Sequence, residues 1–351
     1  MSEGVYTKLR EFLDAMPGGF PATDSGVEIK ILKKLYSPEE AKLTMQLKEE
    51  PESVSDIASR LGMDEDKLAK KLEEMAQNGI IYRVREGEKK LYQAFQFLVG
   101  TYEFQLKNMD REFCELFEEY VPHIGMSMAP FKTNQMRTIP LGVAVDATAG
   151  VAPYNSVREL IKDKKLMAVA QCICKKEQGL LGNECSYPQE VCMLFGESAQ
   201  YFIDNEMARQ IDLKETLKII DIAEESGLIL RPNNAQDIDV LCCCCPCCCP
   251  AIKLPKMLDR PADNVTSYYE SKIDSELCTA CEECIERCPM DAIKLNGDSA
   301  EIIDGRCIGC AVCIPACPVE AISLVEKPDM EPPPVDFRET MDRLKAERGL
   351  A

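Results

Sequence analysis

The chain has no tryptophan and a single histidine, His123, among 351 residues. One imidazole argues against zinc fingers with paired histidine ligands and against haem held by two histidines. A nucleophile–base pair built on that histidine has no support in the sequence either. Neither a G-x-G-x-x-G strand–turn–helix fingerprint nor a G-x4-G-K-[ST] loop occurs, so nicotinamide, flavin or ATP chemistry would need a partner chain.

Basic residues are also in deficit. The chain carries 41 Lys and Arg against 60 Asp and Glu, a formal net charge of −19. Binding to nucleic acid or to anionic membranes is driven by basic surfaces, so this balance argues against both and favours a partner protein with a basic docking face. No window approaches the roughly 18 consecutive apolar residues that a membrane span needs, and no export signal is recognisable. We therefore expect a cytoplasmic protein without membrane insertion.

Cysteine, by contrast, is abundant, with 20 residues in the chain. In a reducing compartment, clustered cysteines are more typical of metal ligands than of disulfides. The length and the 46% hydrophobic content are enough for two or three cores. We predict an α+β multidomain protein. Its predicted parts are a winged-helix-like domain at 1–98, a mixed helical and strand cysteine-rich domain at 99–265, a bacterial 2[4Fe-4S] ferredoxin-like domain at 266–327, and a Pro-rich linker with a short C-terminal helix at 328–351.

Two cysteine runs repeat near the C-terminus. "CTACEECIERCPMDAI" begins at Cys278 and "CIGCAVCIPACPVEAI" begins at Cys307, 29 residues later, and each has the spacing C-x2-C-x2-C-x3-C-P. In bacterial ferredoxins, three cysteines of one such run and the last cysteine of the other hold each [4Fe-4S] cube. Carried over to this chain, one cluster takes Cys278, Cys281, Cys284 and Cys317, and the other takes Cys307, Cys310, Cys313 and Cys288.

The alternative for these eight thiolates is a pair of zinc sites. Zinc modules usually pair two C-x2-C hooks across a longer spacer, so the run of four followed by a proline favours iron–sulfur clusters. The departures from the commonest ferredoxin pattern are small. Glu282 and Ala311 stand where a glycine often follows the second cysteine, and neither position is a ligand.

The N-terminal part has the pattern of a winged helix-turn-helix. We predict a helix over Val54 to Leu61, a second from about Asp64 to Gln77, and a hairpin that turns at Glu86-Gly87. Such modules often place the second helix in the DNA major groove, but here that helix is net acidic. We therefore favour protein docking or formation of a homo-oligomer. Four basic residues of the hairpin keep DNA binding open as an alternative: Arg83, Arg85, Lys89 and Lys90.

The central part carries eleven further thiols and a lone Cys114, which we interpret as a buried structural thiol. The stretch "LMAVA" predicts a buried strand that ends at Cys172 and Cys174, and a helix is predicted from about Pro188 to Asn205 with Cys192 on it. Tyr102 to Tyr120 has the periodicity of one long helix. The remaining thiols are Cys185 and the run "CCCCPCCC", for which we expect an irregular loop.

In the order of these modules, most of residues 25–325 resembles a family of iron–sulfur proteins from anaerobes. These dicluster [4Fe-4S] ferredoxin-domain proteins have an N-terminal winged-helix-like module and a central polycysteine module. In that family the run is commonly closer to "CNCCGCCC", so Cys243 and Pro246 depart from it and Cys243 is the least certain ligand. The resemblance implies electron transfer and names no substrate.

Three interpretations of the central thiols remain open: disulfides, a four-thiolate zinc site at Cys172, Cys174, Cys185 and Cys192, and one or two additional iron–sulfur clusters, which we favour. The predicted central ligands are Cys172, Cys174, Cys185, Cys192, Cys242, Cys244, Cys245, Cys247, Cys248 and Cys249. The favoured function is a relay of single electrons to a partner oxidoreductase. Substrate chemistry at the central cluster and redox-responsive regulation through the winged helix are the alternatives.

Overall fold

The computed structural model describes residues 3–146, 151–328 and 330–350. The predicted domains 1–98 and 99–265 and the C-terminal segment 328–351 each include a few residues outside these ranges, and the predicted ferredoxin domain 266–327 includes none. Within the described ranges, no helix combines the length and the apolar character needed to cross a bilayer. Helices and strands alternate along the chain, as expected for a mixed α and β protein, while the predicted domain boundaries stay a prediction.

The N-terminal part consists of helices followed by a hairpin. Its elements are α1 (Glu3–Asp14), α2 (Val27–Leu35), α3 (Pro38–Thr44), β1 (Glu52–Ser53), α4 (Val54–Leu61), α5 (Glu65–Gln77), β2 (Tyr82–Glu86) and β3 (Lys89–Gln93). Ser53 and Asp64 cap α4 and α5, because each side chain accepts a bond from a backbone N–H in the first turn. The predicted helices and hairpin are therefore present. That they form a winged helix stays a prediction.

The central part is built around one five-stranded sheet. Its elements are α6 (Arg111–Met128), α7 (Gly142–Asp146), α8 (Val157–Ile161), β4 (Met167–Gln171), α9 (Ile173–Leu181), β5 (Glu190–Phe195), α10 (Gly196–Asp204), β6 (Ala208–Ile211), α11 (Leu213–Glu225), β7 (Ile229–Pro232), β8 (Val240–Cys244) and α12 (Pro250–Lys256). The strand order is β6-β4-β5-β8-β7, and every neighbouring pair is antiparallel.

Three local predictions for the central part are wrong. Cys192 lies on β5 and not on a helix, because Glu190–Phe195 pairs with β4 on one side and β8 on the other. The polycysteine run is not wholly irregular, since its first three thiols belong to β8. The long helix begins only at Arg111, where Asp110 caps it, and the segment before it contains a short 3-10 helix over Glu103–Gln105.

Two hydrophobic cores cover the two faces of the central sheet. One face packs against the N-terminal helices in a core that runs from α1 to α10. The other face packs with α11 in a second core, which also contains thiols of the polycysteine run and apolar residues of the ferredoxin part. The cysteine-rich module is thus enclosed between the N-terminal helices and the ferredoxin part.

The C-terminal part has two small antiparallel sheets and a final helix. Its elements are β9 (Tyr269–Ile273), α13 (Glu283–Arg287), β10 (Ile293–Asn296), β11 (Ser299–Ile302), β12 (Ile322–Glu326) and α14 (Phe337–Glu347). β9 pairs with β12 and β10 pairs with β11. The predicted C-terminal helix is confirmed as α14. Its end returns to the N-terminal part, where Arg348 Nη2 donates to the backbone oxygen of Asp14 at 2.9 Å.

Candidate metal centres

The two ferredoxin runs have the same backbone conformation as well as the same spacing. Left-handed residues recur at the 29-residue offset in three pairs, which are Ala280 with Gly309, Glu282 with Ala311, and Asp291 with Glu320. Non-glycine residues avoid this region because Cβ crowds the backbone, so its recurrence reflects a shared loop geometry. Each run therefore wraps its cysteines around an equivalent space.

One set of predicted ligands lies around a common cavity. Cys288 from the first run joins Cys307, Cys310 and Cys313 from the second, and apolar side chains form nearly all of the remaining wall. We call these four residues the inner group. Burial raises the pKa of Cys313 to about 12, and the charges of Cys307 and Cys288 act in the same direction. Cys288 therefore lies beside the second run, as the predicted crossover of ligands requires.

The other predicted set, Cys278, Cys281, Cys284 and Cys317, is nearer the surface, and we call it the outer group. Cys281 is exposed, whereas Cys284 is buried. Burial raises the pKa of Cys284, and the charges of Cys281, Cys278 and Cys317 add to that effect. Cys317 therefore lies near the first run, as the crossover requires.

Backbone N–H groups point at the sulfurs of both groups. Ala300 N donates to Cys278 Sγ at 3.3 Å, and Ala321 N donates to Cys317 Sγ at 3.2 Å. In the inner group, Ala292 N donates to Cys288 Sγ at 3.3 Å and Ser271 N donates to Cys307 Sγ at 3.4 Å. Such bonds stabilise thiolates and tune the potential of a cluster. The donor sets and the cavity fit [4Fe-4S] clusters, although ligation itself stays a prediction.

Four of the central thiols form a compact group. Cys185, from the loop between α9 and β5, meets Cys245, Cys247 and Cys248 from the turn after β8, and all four Sγ atoms lie within 4.8 Å of one another. Cys185 Sγ is 3.6 Å from Cys247 Sγ and 3.9 Å from Cys245 Sγ. We call these residues the compact group.

Six further thiols form a connected chain, which we call the extended group: Cys172, Cys174, Cys249, Cys244, Cys242 and Cys192. Cys174 lies within hydrogen-bonding reach of Cys172 and Cys249. Cys244 lies within hydrogen-bonding reach of Cys249 and Cys242, and Cys242 also lies within reach of Cys192. The two groups contain all ten predicted central ligands, so the structure brings these residues together in two places.

The alternation of side chains along β8 explains why Cys243 joins neither group. Cys242 pairs across the sheet with Cys192, and Cys244 follows two residues later on the same face. Cys243 points to the opposite face and is buried in the apolar core. Burial raises its pKa to about 12, so it is a neutral thiol under ordinary conditions.

Two thiols of the extended group have a lowered pKa. Hydrogen bonds from Cys174 and Cys244 lower the pKa of Cys249 well below the ordinary thiol value. A hydrogen bond from Cys174 also lowers the pKa of Cys172, to about 7. Thiolates are the form that binds metals, so the lowered pKa values of Cys249 and Cys172 are compatible with a metal site in the extended group. Cys114 takes no part, since it is buried elsewhere and burial raises its pKa to about 12.

The inner group adjoins the central module. Cys288, Cys307 and Cys310 belong to the same hydrophobic core as the thiols of the polycysteine run. Two arginines fasten this junction. Arg287 Nη2 donates to the backbone oxygen of Glu225 at 2.8 Å, and Arg306 donates to backbone oxygens of α12 and of the first ferredoxin run.

Some residues around the sites carry no recognisable sequence signal. Ser271 on β9 contacts two inner cysteines, through its N–H to Cys307 and its hydroxyl at 3.5 Å from Cys313 Sγ. Nothing in the sequence around Ser271 marks it, because the contact depends on how β9 lies beside the second run. For Arg287, the only sequence feature that pointed to the site was its position directly before Cys288.

Three of the four basic residues of the hairpin form ion pairs inside the chain. Arg83 is buried and pairs with Glu73 at 2.7 Å and with Asp204 at 3.2 Å. Arg85 pairs with Asp204 at 2.5 Å, and Lys90 pairs with Glu73 at 3.0 Å. These cations therefore neutralise carboxylates of α5 and α10 and are not free to bind phosphates.

Comparison with known proteins supports the ferredoxin part. Residues 270–318 match the family model described as a 4Fe-4S dicluster domain. Among curated proteins, none gives a significant match to the chain. The dicluster match and the grouped cysteines support multiple iron–sulfur clusters, and they indicate iron–sulfur electron transfer.

Proposed function

We propose that this protein is an electron-transfer protein or redox subunit, which exchanges single electrons between a low-potential donor, its central cysteine module and a partner oxidoreductase. [4Fe-4S] clusters in the outer and inner groups would supply the one-electron chemistry, and a further cluster in the extended group would supply it in the central module. The observation that carries the proposal is the shared core of inner-group and central thiols.

The exposure of the cysteine groups bears on which end of the path a partner protein would reach. Cys281 of the outer group is exposed, so this is the end that a partner protein can approach. Cys310 and Cys313 of the inner group are buried, and mostly apolar side chains line the cavity around them. The cysteines would therefore lead from the surface through the inner group to the central module.

The charge of the molecule bears on the partner. With a formal net charge of −19, the chain would attract a partner through a basic docking face, and such attraction weakens with salt. Glu282, Glu283 and Glu286 place acidic side chains beside the exposed Cys281. We infer that this end of the ferredoxin part receives the partner.

The proposal can be tested with Cys310→Ser, which disrupts the inner group while the outer group remains intact. A protein-sized low-potential donor, too large to enter the core, is mixed with the anaerobically prepared full chain. Freeze-quenched EPR spectra then follow each centre. We expect the outer group to be reduced as in the wild type, and reduction of the central module to slow by more than an order of magnitude.

Cys243→Ser is the matched control, because it also removes a buried thiol of the same core but belongs to neither central group. It should leave both rates unchanged. Central reduction that is equally fast in Cys310→Ser would contradict a path through the inner group.

A further inference from the structure

The spacing of the sulfurs in the compact group is short for an iron–sulfur cube. Three Sγ–Sγ distances are 3.9 Å for Cys185–Cys245, 3.6 Å for Cys185–Cys247 and 3.6 Å for Cys247–Cys248. In a tetrahedral thiolate site, a metal–sulfur length of about 2.3 Å places neighbouring sulfurs about 3.8 Å apart. The compact group thus has the dimensions of four thiolates around one ion.

The ferredoxin part of the same molecule provides a reference for the cube. Each iron of a cube takes one protein thiolate, so the four thiolates lie over four separate corners and stand further apart. Among the described residues, which include every cysteine, the compact group is the one set of three or more ligand side chains that approach within 4.8 Å of one another. In neither the inner nor the outer group do three thiols lie this close to one another.

We propose that Cys185, Cys245, Cys247 and Cys248 bind a single tetrahedral metal ion without sulfide, either zinc or mononuclear iron. Both ions accept an all-thiolate tetrahedron. The proposal goes beyond the electron-transfer function and does not depend on it, because such an ion could serve structure alone. It leaves the extended group as the place for a central cluster.

The chain builds this site from a turn that the proline creates. β8 ends at Cys244, and Pro246 begins a turn over residues 246–248. The fixed φ of proline suits the start of such a turn, and it ends the alternation that places β8 thiols on the opposite faces of the sheet. Cys245, Cys247 and Cys248 consequently face Cys185, while Cys249 rejoins the extended group.

An ion at this position would join two segments that are far apart in sequence. Cys185 lies 60 residues before Cys245. The Cys185 loop is held by bonds from the Gln189 side chain to the backbone oxygens of Cys185 and Tyr187, and by a bond from Lys175 Nζ to the backbone oxygen of Pro188. All four coordination positions are filled by protein thiolates, which is the arrangement of structural sites rather than of catalytic ones. The ion would therefore fix the loop against the turn.

The test is metal and acid-labile sulfide analysis of the full chain, purified without oxygen. Cys185→Ser and Cys247→Ser should each lose one metal ion per chain with no loss of sulfide. Cys243→Ser, in the same run but outside the group, should retain that ion. Loss of several irons together with sulfide from Cys185→Ser would overturn the proposal.

A measurement on the native chain covers the case in which the variants fail to fold. X-ray absorption at the zinc edge should show four sulfurs at about 2.3 Å and no neighbouring metal. If iron occupies the site, one sulfide-free ferric ion with a mononuclear EPR signal gives the same support. Two results would contradict a single-ion site. In one, the chain contains no zinc and all of its iron is accompanied by sulfide. In the other, iron and sulfide replace the zinc on anaerobic reconstitution.

Discussion

Gly309 occupies a left-handed position, with φ +66°, that corresponds to Ala280 in the first ferredoxin run. A Cβ on Gly309 would lie 2.0 Å from the backbone oxygen of Tyr269 and 2.3 Å from Ser267 Oγ. Contacts this short require the backbone of β9 to move away from the second run. Gly309→Ala should therefore lower the free energy of unfolding by about 2–4 kcal/mol, in the range of overpacked buried sites, and should weaken metal binding by the inner group.

The first run supplies the matched control for that substitution. Ala280→Gly removes a Cβ from an equivalent left-handed position, so it should change stability by no more than about 1 kcal/mol. Denaturant unfolding, together with iron and sulfide analysis, measures both effects. If Gly309→Ala kept wild-type stability and a full iron content, the close approach of β9 would not constrain the second run.

At the residue scale, spacing predicts the ferredoxin cysteines and little of what surrounds them. The C-x2-C-x2-C-x3-C-P runs carry the crossover assignment, and the structure places Cys288 beside the second run. Glu282 and Ala311 could be recognised as glycine-like positions, and both have a positive φ. Ser271 could not be predicted, because its contact with Cys307 depends on tertiary packing and on no local pattern.

At the scale of elements, Arg83 joins the hairpin to α10. Its side chain is 1% exposed and contacts Glu73 and Asp204. Removing one member of a buried ion pair leaves the others uncompensated, at a cost of about 3–5 kcal/mol when all are buried. Since Glu73 keeps some solvent contact, we expect Arg83→Met to lower the free energy of unfolding by about 2–4 kcal/mol. Denaturant titration measures the loss.

Arg85→Met is the control, because Arg85 pairs with the same Asp204 carboxylate but is 36% exposed. It should cost less than about 1 kcal/mol. The pH dependence follows from Asp204. Burial alone would raise the pKa of Asp204, but hydrogen bonds from Arg85 and Gln200 and the charge of Arg83 hold it below its ordinary value.

A carboxyl with a lowered folded-state pKa contributes stability that is present above its unfolded pKa and is lost as the pH falls through the folded value. The difference between wild type and Arg83→Met should therefore shrink in acid. Equal losses for Arg83→Met and Arg85→Met at neutral pH would show that burial of Arg83 adds nothing to the hairpin contact.

Elements with strong local signals were predictable, among them the strand β4 and the hairpin of β2 and β3, whereas β5 and β8 were not. The predicted helix Val54–Leu61 matches α4, because Ser53 caps its start and Gly62 ends it. For Glu190–Phe195 the sequence continues directly into the helix α10, which concealed the strand. That segment becomes β5 because β4 and β8 lie on either side of it. The same sheet divides the polycysteine run, so its grouping could not be derived from sequence.

At the scale of the whole molecule, the order of parts was predictable but their packing was not. Periodicity predicts which face of an element is buried, yet it does not show that core residues from α1 to α10 form one cluster. The return of α14 likewise depends on a few long-range contacts. Glu347 accepts bonds from the backbone N–H groups of Lys132 and Thr133, more than 200 positions earlier in the chain. These contacts hold the parts in one arrangement around the central thiols.

The distribution of charge over the whole molecule gives the last prediction, which concerns DNA. Affinity for a duplex depends on Lys and Arg side chains that neutralise phosphates. The chain has a net charge of −19, and Arg83, Arg85 and Lys90 of the hairpin are already paired with Glu73 and Asp204. We therefore expect no sequence-specific binding of submicromolar strength at near-physiological salt, measured by footprinting and by fluorescence anisotropy with duplex probes.

Lowering the salt provides the control in this experiment. Weak attraction by residual cations should then be the same for every duplex, because phosphate contacts carry no sequence information. A submicromolar footprint on a defined sequence would mean that the hairpin ion pairs open on binding. It would favour redox-responsive regulation over docking of a partner protein. Absence of a footprint in both the oxidised and the reduced protein, by contrast, would favour protein contacts for the N-terminal helices and hairpin, as the net charge of −19 and the net acidic helix α5 predict.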